Sequence, residues 1–300
     1  MMASGKVLIT GATGFVGAHL AALLLREGFQ VAATFRGKSP VPTARLPAAA
    51  DIEWVEASNA PRWTLENAPQ TVVHLATEYG KSSPPSACIA SNVLFPMTLL
   101  EAACRAGCGL FLNTDSFFGK PCFAYPHMRA YTWSKADFAR WGAAHASTSS
   151  TRFLTLRLEH VYGEQDNADK FIPFVMGELA AGNPQLKLTD GRQKRDFIHV
   201  DDVVSAYLQV IRLADAVPSD IAELEVGCGH AIPVREMVET AADVVQSKAG
   251  LLLGALPQRE GEIMDSSADN RSLLALGWRP EVGLREGLAR IHRSAVRAAG

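Results

Sequence analysis

An apolar run, Val7-Leu8-Ile9, that leads straight into Gly11-Ala12-Thr13-Gly14-Phe15-Val16-Gly17 leaves a chain few folds to choose from. Gly11 permits a tight strand-to-helix reversal, Gly14 lets the main chain approach a ligand, and Gly17 lets the helix sit close to the sheet. The segment Val16–Glu27 that follows carries Leu20, Leu23 and Leu24 at helical spacing, and Gly28 stops it. Further on, β-branched runs alternate with longer helical patterns. Val7–Thr10, Gln30–Thr34, Ile52–Glu56, Val72–Leu75, Gly109–Asn113 and Phe153–Leu158 read as strands; Val16–Glu27, Ser91–Ala106 and Tyr131–Ala146 read as helices. Such alternation requires parallel pairing through right-handed crossovers, hence an α/β fold with a Rossmann-type doubly wound parallel sheet.

After Gly163 the pattern loosens. Phe171–Gly182 reads as a helix broken by Gly182-Asn183-Pro184, His199–Leu213 as a helix capped near Asp201, and Leu224–Gly227 as a short strand. The stretches Pro233–Ser247 and Ser266–Arg293 read as mostly helical. The expected organisation is a dinucleotide-binding domain of residues 1–162 plus about 196–228, and a smaller, mainly C-terminal α/β lobe of 163–195 and 229–300 for the substrate. With 300 residues at 48% hydrophobic, the chain can bury a full core. Its 29 Lys and Arg against 31 Asp and Glu argue against nucleic acid or an anionic membrane as partner. No signal segment is expected at the N-terminus, nor an apolar run near the roughly 20 residues that span a bilayer. The five cysteines match no metal-binding set, so the expectation is free thiols in a reducing cytoplasm and no metal.

A pyrophosphate set against the glycine turn would meet the exposed N–H groups at the start of helix Val16–Glu27. Gly11, Thr13, Gly14, Phe15 and Val16 are therefore the first cofactor contacts. The second strand runs out through Ala33-Thr34-Phe35-Arg36-Gly37-Lys38, with no acid to hold the ribose diol of NAD. Arg36 can instead pair bidentately with the extra phosphate of NADP, and Lys38 can add charge; the other reading of Arg36 is a solvated surface cation. NADP is favoured, and NAD stays open. Far downstream, Tyr131 and Lys135 stand at i and i+4, on one helix face. A phenol titrating near pH ~10 is a poor acid-base group, and an adjacent ammonium would pull that value down. Lys135 would also hold the nicotinamide ribose. Thr114, at the end of the preceding strand, can donate a hydrogen bond to a substrate carbonyl or can cap the strand end.

The motifs taken in order are Gly11–Gly17, His74-Leu75-Ala76, Asn92, Thr114, Tyr131 with Lys135, Arg157 with Val161-Tyr162-Gly163, Arg195 through Asp202, Arg259-Glu260-Gly261-Glu262, and Leu276 through Pro280. The chain thus resembles an extended short-chain dehydrogenase/reductase of the nucleotide-sugar epimerase/dehydratase type. That resemblance implies Thr114, Tyr131 and Lys135 as the catalytic triad. It puts Leu75, Ala76 and Thr77 along the cofactor, with Asn92 close by. It implies Arg195 and Arg259, with Lys170, on the substrate's diphosphate, and Asp115, Ser116 and His160 near the sugar. It also implies a homodimer paired through Ser91–Ala106 and Tyr131–Ala146. Sugar 4,6-dehydratases carry a glutamate where this chain has Ser116, and the epimerases an acid where it has Arg36. The sequences around Thr114, Leu75 and Arg157 are similar to those of reductases that make CDP-paratose or CDP-abequose. The resemblance therefore implies NADPH-dependent reduction of a 4-keto-6-deoxyhexose nucleotide. An NAD-dependent epimerase or dehydratase, and a non-catalytic NAD(P)-sensing protein, are the alternatives.

Overall fold

The protein is described from a computed structural model covering residues 5–37, 45–46 and 49–299, so Lys38 lies outside the described residues. The strands are β1 (Lys6–Thr10), β2 (Gln30–Phe35), β3 (Glu53–Glu56), β4 (Thr71–His74), β5 (Leu110–Ser116), β6 (Arg152–Leu158), β7 (His160–Tyr162), β8 (Gln185–Lys187), β9 (Lys194–Arg195), β10 (Phe197–His199), β11 (Glu223–Val226), β12 (Ile232–Pro233), β13 (Gly250–Leu252) and β14 (Asp265–Ser266). The helices are α1 (Phe15–Arg26), α2 (Ala60–Asn67), α3 (Pro85–Ile89), α4 (Phe95–Ala106), α5 (Arg129–Ala146), α6 (Phe171–Ala180), α7 (Val200–Leu213), α8 (Val234–Val245), α9 (Arg271–Ala275) and α10 (Leu284–Ala299). Seven strands form one sheet in the order β11-β6-β5-β4-β1-β2-β3. Every pairing in it is parallel, as the strand-helix alternation requires. The strand order reverses direction between β1 and β4, and in open α/β sheets the crevice at such a switch point takes the ligand.

Side chains alternate across the sheet. Val7, Ile9, Val73, Leu112 and Leu154 join α1 and α7 in one core, while Leu8, Val72, Phe111 and Phe153 join α2, α4 and α5 in another. A third core, of Ile172, Val175, Met176, Leu186, Met237 and Leu288, lies among α6, α8 and α10 and forms the smaller lobe. One segment of that expected lobe returns to the sheet: Leu273 and Trp278 pack in the core with α7. The Trp278 indole donates to the Asp202 carbonyl and the Ser205 hydroxyl at 3.2 and 2.9 Å.

Helix α3, a π-helical turn at Ala90–Leu94 and α4 run on as one rod, Pro85–Ala106. By length and composition that rod matches a membrane span, which corrects the expectation drawn from the sequence. Its α4 half packs into the core, with Leu99, Leu100, Ala102 and Ala103 buried. Helix α7 starts at Val200, one residue later than expected, and is capped by His199, whose ring accepts from the Asp201 N–H at 3.2 Å. The five cysteines are free, and no His, Cys, Asp and Glu group among the described residues could hold a metal.

Candidate active site

The carboxyl ends of β1, β4 and β5 converge at the switch point. Gly11 turns with φ of 77°, and a Cβ on it would come within 2.7 Å of the Ala76 amide. A Cβ on Gly17 would run into the Gly11 carbonyl. Glycine at both positions is thus what lets the first turn close against the β4 loop and α1. Gly14 caps α1 with extended backbone and no side chain, and a Cβ there would meet only the Gly11 carbonyl, at 3.1 Å. Helix α1 begins with uncapped N–H groups at Phe15 and Val16, beside an exposed Thr13. This cradle fits a pyrophosphate.

Thr10, which sequence reasoning passed over, fixes the neighbouring loop. Its hydroxyl accepts the Leu75 and Ala76 amides, each at 3.2 Å, and contacts His74 Nδ1 at 2.8 Å. Burial, then the charge of Lys135, holds His74 well below its ordinary pKa. With two amides already donating to the Thr10 oxygen, its own proton goes to Nδ1 of the neutral ring. Asn92 lies in the π-helical turn and is buried. Its amide donates to the Glu78 carbonyl at 2.9 Å and the Ser134 hydroxyl at 3.0 Å. Its oxygen accepts from the Glu78 N–H at 2.7 Å and the Thr77 hydroxyl at 3.3 Å. Asn92 thereby ties the 77–78 loop to α5. Arg36 is exposed and makes no hydrogen bond or ion pair to another described residue.

Tyr131, Ser134 and Lys135 are the buried positions of one face of α5. The Tyr131 ring stacks on Tyr79, centroids 5.1 Å apart, and the Ser116 hydroxyl lies near its phenol. Lys135 Nζ donates to the Thr114 carbonyl at 2.6 Å. Burial lowers the Lys135 pKa to about 8, partly countered by Asp115. The sequence led to a depressed Tyr131 pKa. In the structure the phenol is instead pushed well above 10, by burial first and by Tyr79 and Asp115 next, with Ser116 acting the other way. A tyrosine so placed holds its proton at neutral pH. The Thr114 hydroxyl is 2.6 Å from the Tyr207 hydroxyl.

Asp115 is not free to meet a sugar. It is 3% exposed, accepts the Ser116 N–H at 2.8 Å, and pairs at 3.2 Å with Arg157, its register partner on β6. His160 packs against the rings of Phe197 and Phe117. Arg195 is buried, 2.6 Å from Glu262 rather than from Asp196 or Asp201, with its guanidinium 5.8 Å from the Phe117 ring centre. Arg259 is exposed and lies near the Tyr125 hydroxyl. Lys170 pairs with the carboxylate of Asp166 at 3.0 Å and lies 5.3 Å over the Phe15 ring, which brings the smaller lobe onto the glycine turn.

Residues 7–224 match the model of the NAD dependent epimerase/dehydratase family. A CDP-abequose synthase of Salmonella typhimurium is 37% identical over 94% of this chain and 95% of its own length. One from Salmonella muenchen is 36% identical over 95% and 96%. Among solved structures, MoeE5 in complex with UDP-glucuronic acid and NAD superposes with a TM-score of 0.81, at 28% identity over 98% of this chain and 100% of that one. With this reach of similarity and the Gly11–Gly17, Thr114, Tyr131 and Lys135 arrangement at the switch point, the chain belongs to the NAD-dependent epimerase/dehydratase family, as an NAD(P)-dependent oxidoreductase of the extended short-chain type that modifies a nucleotide sugar.

Proposed function

We propose that the protein reduces the 4-keto group of a nucleotide-linked 4-keto-6-deoxyhexose, a CDP sugar in preference, with NADPH as the reductant. The observation that carries this reading is a buried phenol that keeps its proton, with no free carboxylate at the two positions after Thr114. Asp115 is bound to Arg157, and the next side chain is the Ser116 hydroxyl. Elimination of water needs a base at that place, whereas reduction of a carbonyl needs a proton donor. NADPH, when bound, supplies the hydride to C4. Thr114 donates a hydrogen bond to the carbonyl oxygen, and Tyr131 passes its proton to the forming alkoxide. Lys135, placed one turn from Tyr131, holds the nicotinamide ribose and favours the phenolate that results. Arg195 and Arg259 supply two cations for the diphosphate, which requires Arg195 to exchange Glu262 for phosphate oxygens. Arg36 takes the 2′-phosphate. The similarity to the CDP-abequose synthases supports the choice of CDP and of reduction. The same reading has the protein work as a homodimer.

The test is direct. Purified protein given CDP-4-dehydro-6-deoxyglucose should consume NADPH, followed by absorbance, and Tyr131→Phe should lose about a hundredfold or more of that rate. Full NADPH consumption by Tyr131→Phe would reject the proton-donor role. An unchanged absorbance with every 4-keto sugar nucleotide, together with tightly held NAD released on denaturation, would favour an epimerase or dehydratase instead.

A further inference from the structure

We propose that Tyr207 is a positioning residue for this reduction: its phenol gives its proton to the Thr114 hydroxyl and so leaves the proton of Thr114 for the substrate carbonyl. The inference rests on the function proposed above. Tyr207 belongs to α7, behind the sheet, and is 0% exposed in the core shared with α1. Its hydroxyl lies 2.6 Å from Thr114 Oγ1 and makes no other hydrogen bond among the described residues.

Each of the two hydroxyls carries one proton, and either could donate in principle. If Thr114 donated, the phenol proton would point into apolar core with no acceptor. An unsatisfied buried donor is costly enough to disfavour that arrangement by roughly tenfold or more. If Tyr207 donates, its only proton is satisfied, and the Thr114 oxygen still has its own proton to give. Burial also keeps the phenol in its protonated form, its pKa raised far above the ordinary value despite the bond to Thr114. The main chain of the same residue is held from the other side, where its carbonyl accepts from Lys135. Residue 114 is therefore clamped at backbone and side chain, and the remaining direction for its O–H is away from both. A hydroxyl oriented before substrate arrives needs no reorganisation in the transition state.

The experiment is a double-mutant cycle on the full chain, read by kinetics and by melting. Tyr207→Phe removes one oxygen and keeps the ring. Its kcat should fall about tenfold while KM for NADPH and for the sugar nucleotide stays within about twofold. In a Thr114→Val background the same change should cost no further activity. Thr114→Val alone strands the phenol, so adding Tyr207→Phe should raise its melting temperature, whereas in Thr114→Ser, which keeps a hydroxyl, the same addition should lower it. A wild-type kcat in Tyr207→Phe, an additive loss in the Thr114→Val background, or a Tyr207→Phe protein that does not fold would each overturn the proposal. A wild-type enzyme that reduces no 4-keto sugar nucleotide would sink the functional reading. The melting comparison would then still report whether the hydrogen bond runs from Tyr207 to Thr114.

Discussion

The imidazole of His160 packs edge-on against Phe197, centroids 5.1 Å apart, and tilted against Phe117 at 6.2 Å. Burial, then the charges of Arg195 and Lys170, brings its pKa down to about 3. In the unfolded chain it would titrate near 6.5. Between those values the unfolded state binds the extra proton, so stability rises with pH across that window and is lost as pH falls below about 6.5. Wild-type protein should therefore lose up to about 2 kcal/mol between pH 7 and pH 5 through this residue. His160→Gln should flatten the pH dependence of urea unfolding by that amount; equal slopes would refute it. Arg36 is tested by its partner instead. Arg36→Asp should lower kcat/KM with NADPH at least tenfold relative to NADH, and an unchanged ratio would return Arg36 to the solvent. Single residues were legible as chemical types at strand ends. Their partners were not, because pairing depends on register: Asp115 meets Arg157 only where β5 lies against β6, and Arg195 meets Glu262 through a loop return that no local pattern announces.

The rod Pro85–Ala106 shows the same division one level up. Its second half was readable from Leu99, Leu100, Ala102 and Ala103, but its start and its π-helical turn were not, because one inserted residue leaves no periodic mark. That turn presents Asn92 to both Glu78 and Ser134. Asn92→Ala should leave the Glu78 amide without its acceptor and the Glu78 carbonyl with only the Cys88 thiol, at about 1–3 kcal/mol for a donor kept from water. The 75–78 loop should then loosen, with KM for the cofactor rising roughly tenfold, by steady-state kinetics, ahead of any change in kcat at saturation. A cofactor KM that stays at the wild-type value would show that the loop holds without this tie. All seven strands of the sheet were visible in the sequence, because each carries at least two apolar residues in a run of four or more. Strands such as Lys194–Arg195, Ile232–Pro233 and Asp265–Ser266 have two residues each, too few for any alternation to appear. Likewise Asp196 and Asp202 were recognisable within a motif while their work is architectural. Asp196 accepts the Cys228, Gly229 and Ala268 amides, and Asp202 the Glu281 and Val282 amides.

For the molecule as a whole, the surface that stands out is apolar. Ile89 and Leu94 on the rod are 58% and 62% exposed, and Trp133 and Trp141 on α5 are 64% and 65% exposed. The rod packs against α5 along the chain's own fold, so these side chains extend a helix pair that already exists. Trp133 and Trp141 recur at i and i+8, the spacing of one helical stripe. Two such pairs meeting across a two-fold axis would bury all four residues in each protomer, a self-complementary contact of the kind that makes cyclic dimers. Tyr131 and Lys135 stand on the same α5 but are buried inward, against elements of their own chain. Each protomer would then carry a complete site, and dimerisation would act by stiffening the helix that bears the proton donor. Trp141→Lys should therefore convert a sedimenting dimer to a monomer at micromolar concentration. The monomer should melt at a lower temperature yet keep kcat within a few-fold, because no residue from the partner is required at the phenol. A wild-type chain that sediments as a monomer at that concentration would leave this face without a second copy, and loss of all activity in the monomer would mean that α5 holds Tyr131 in place only when its outer face is covered.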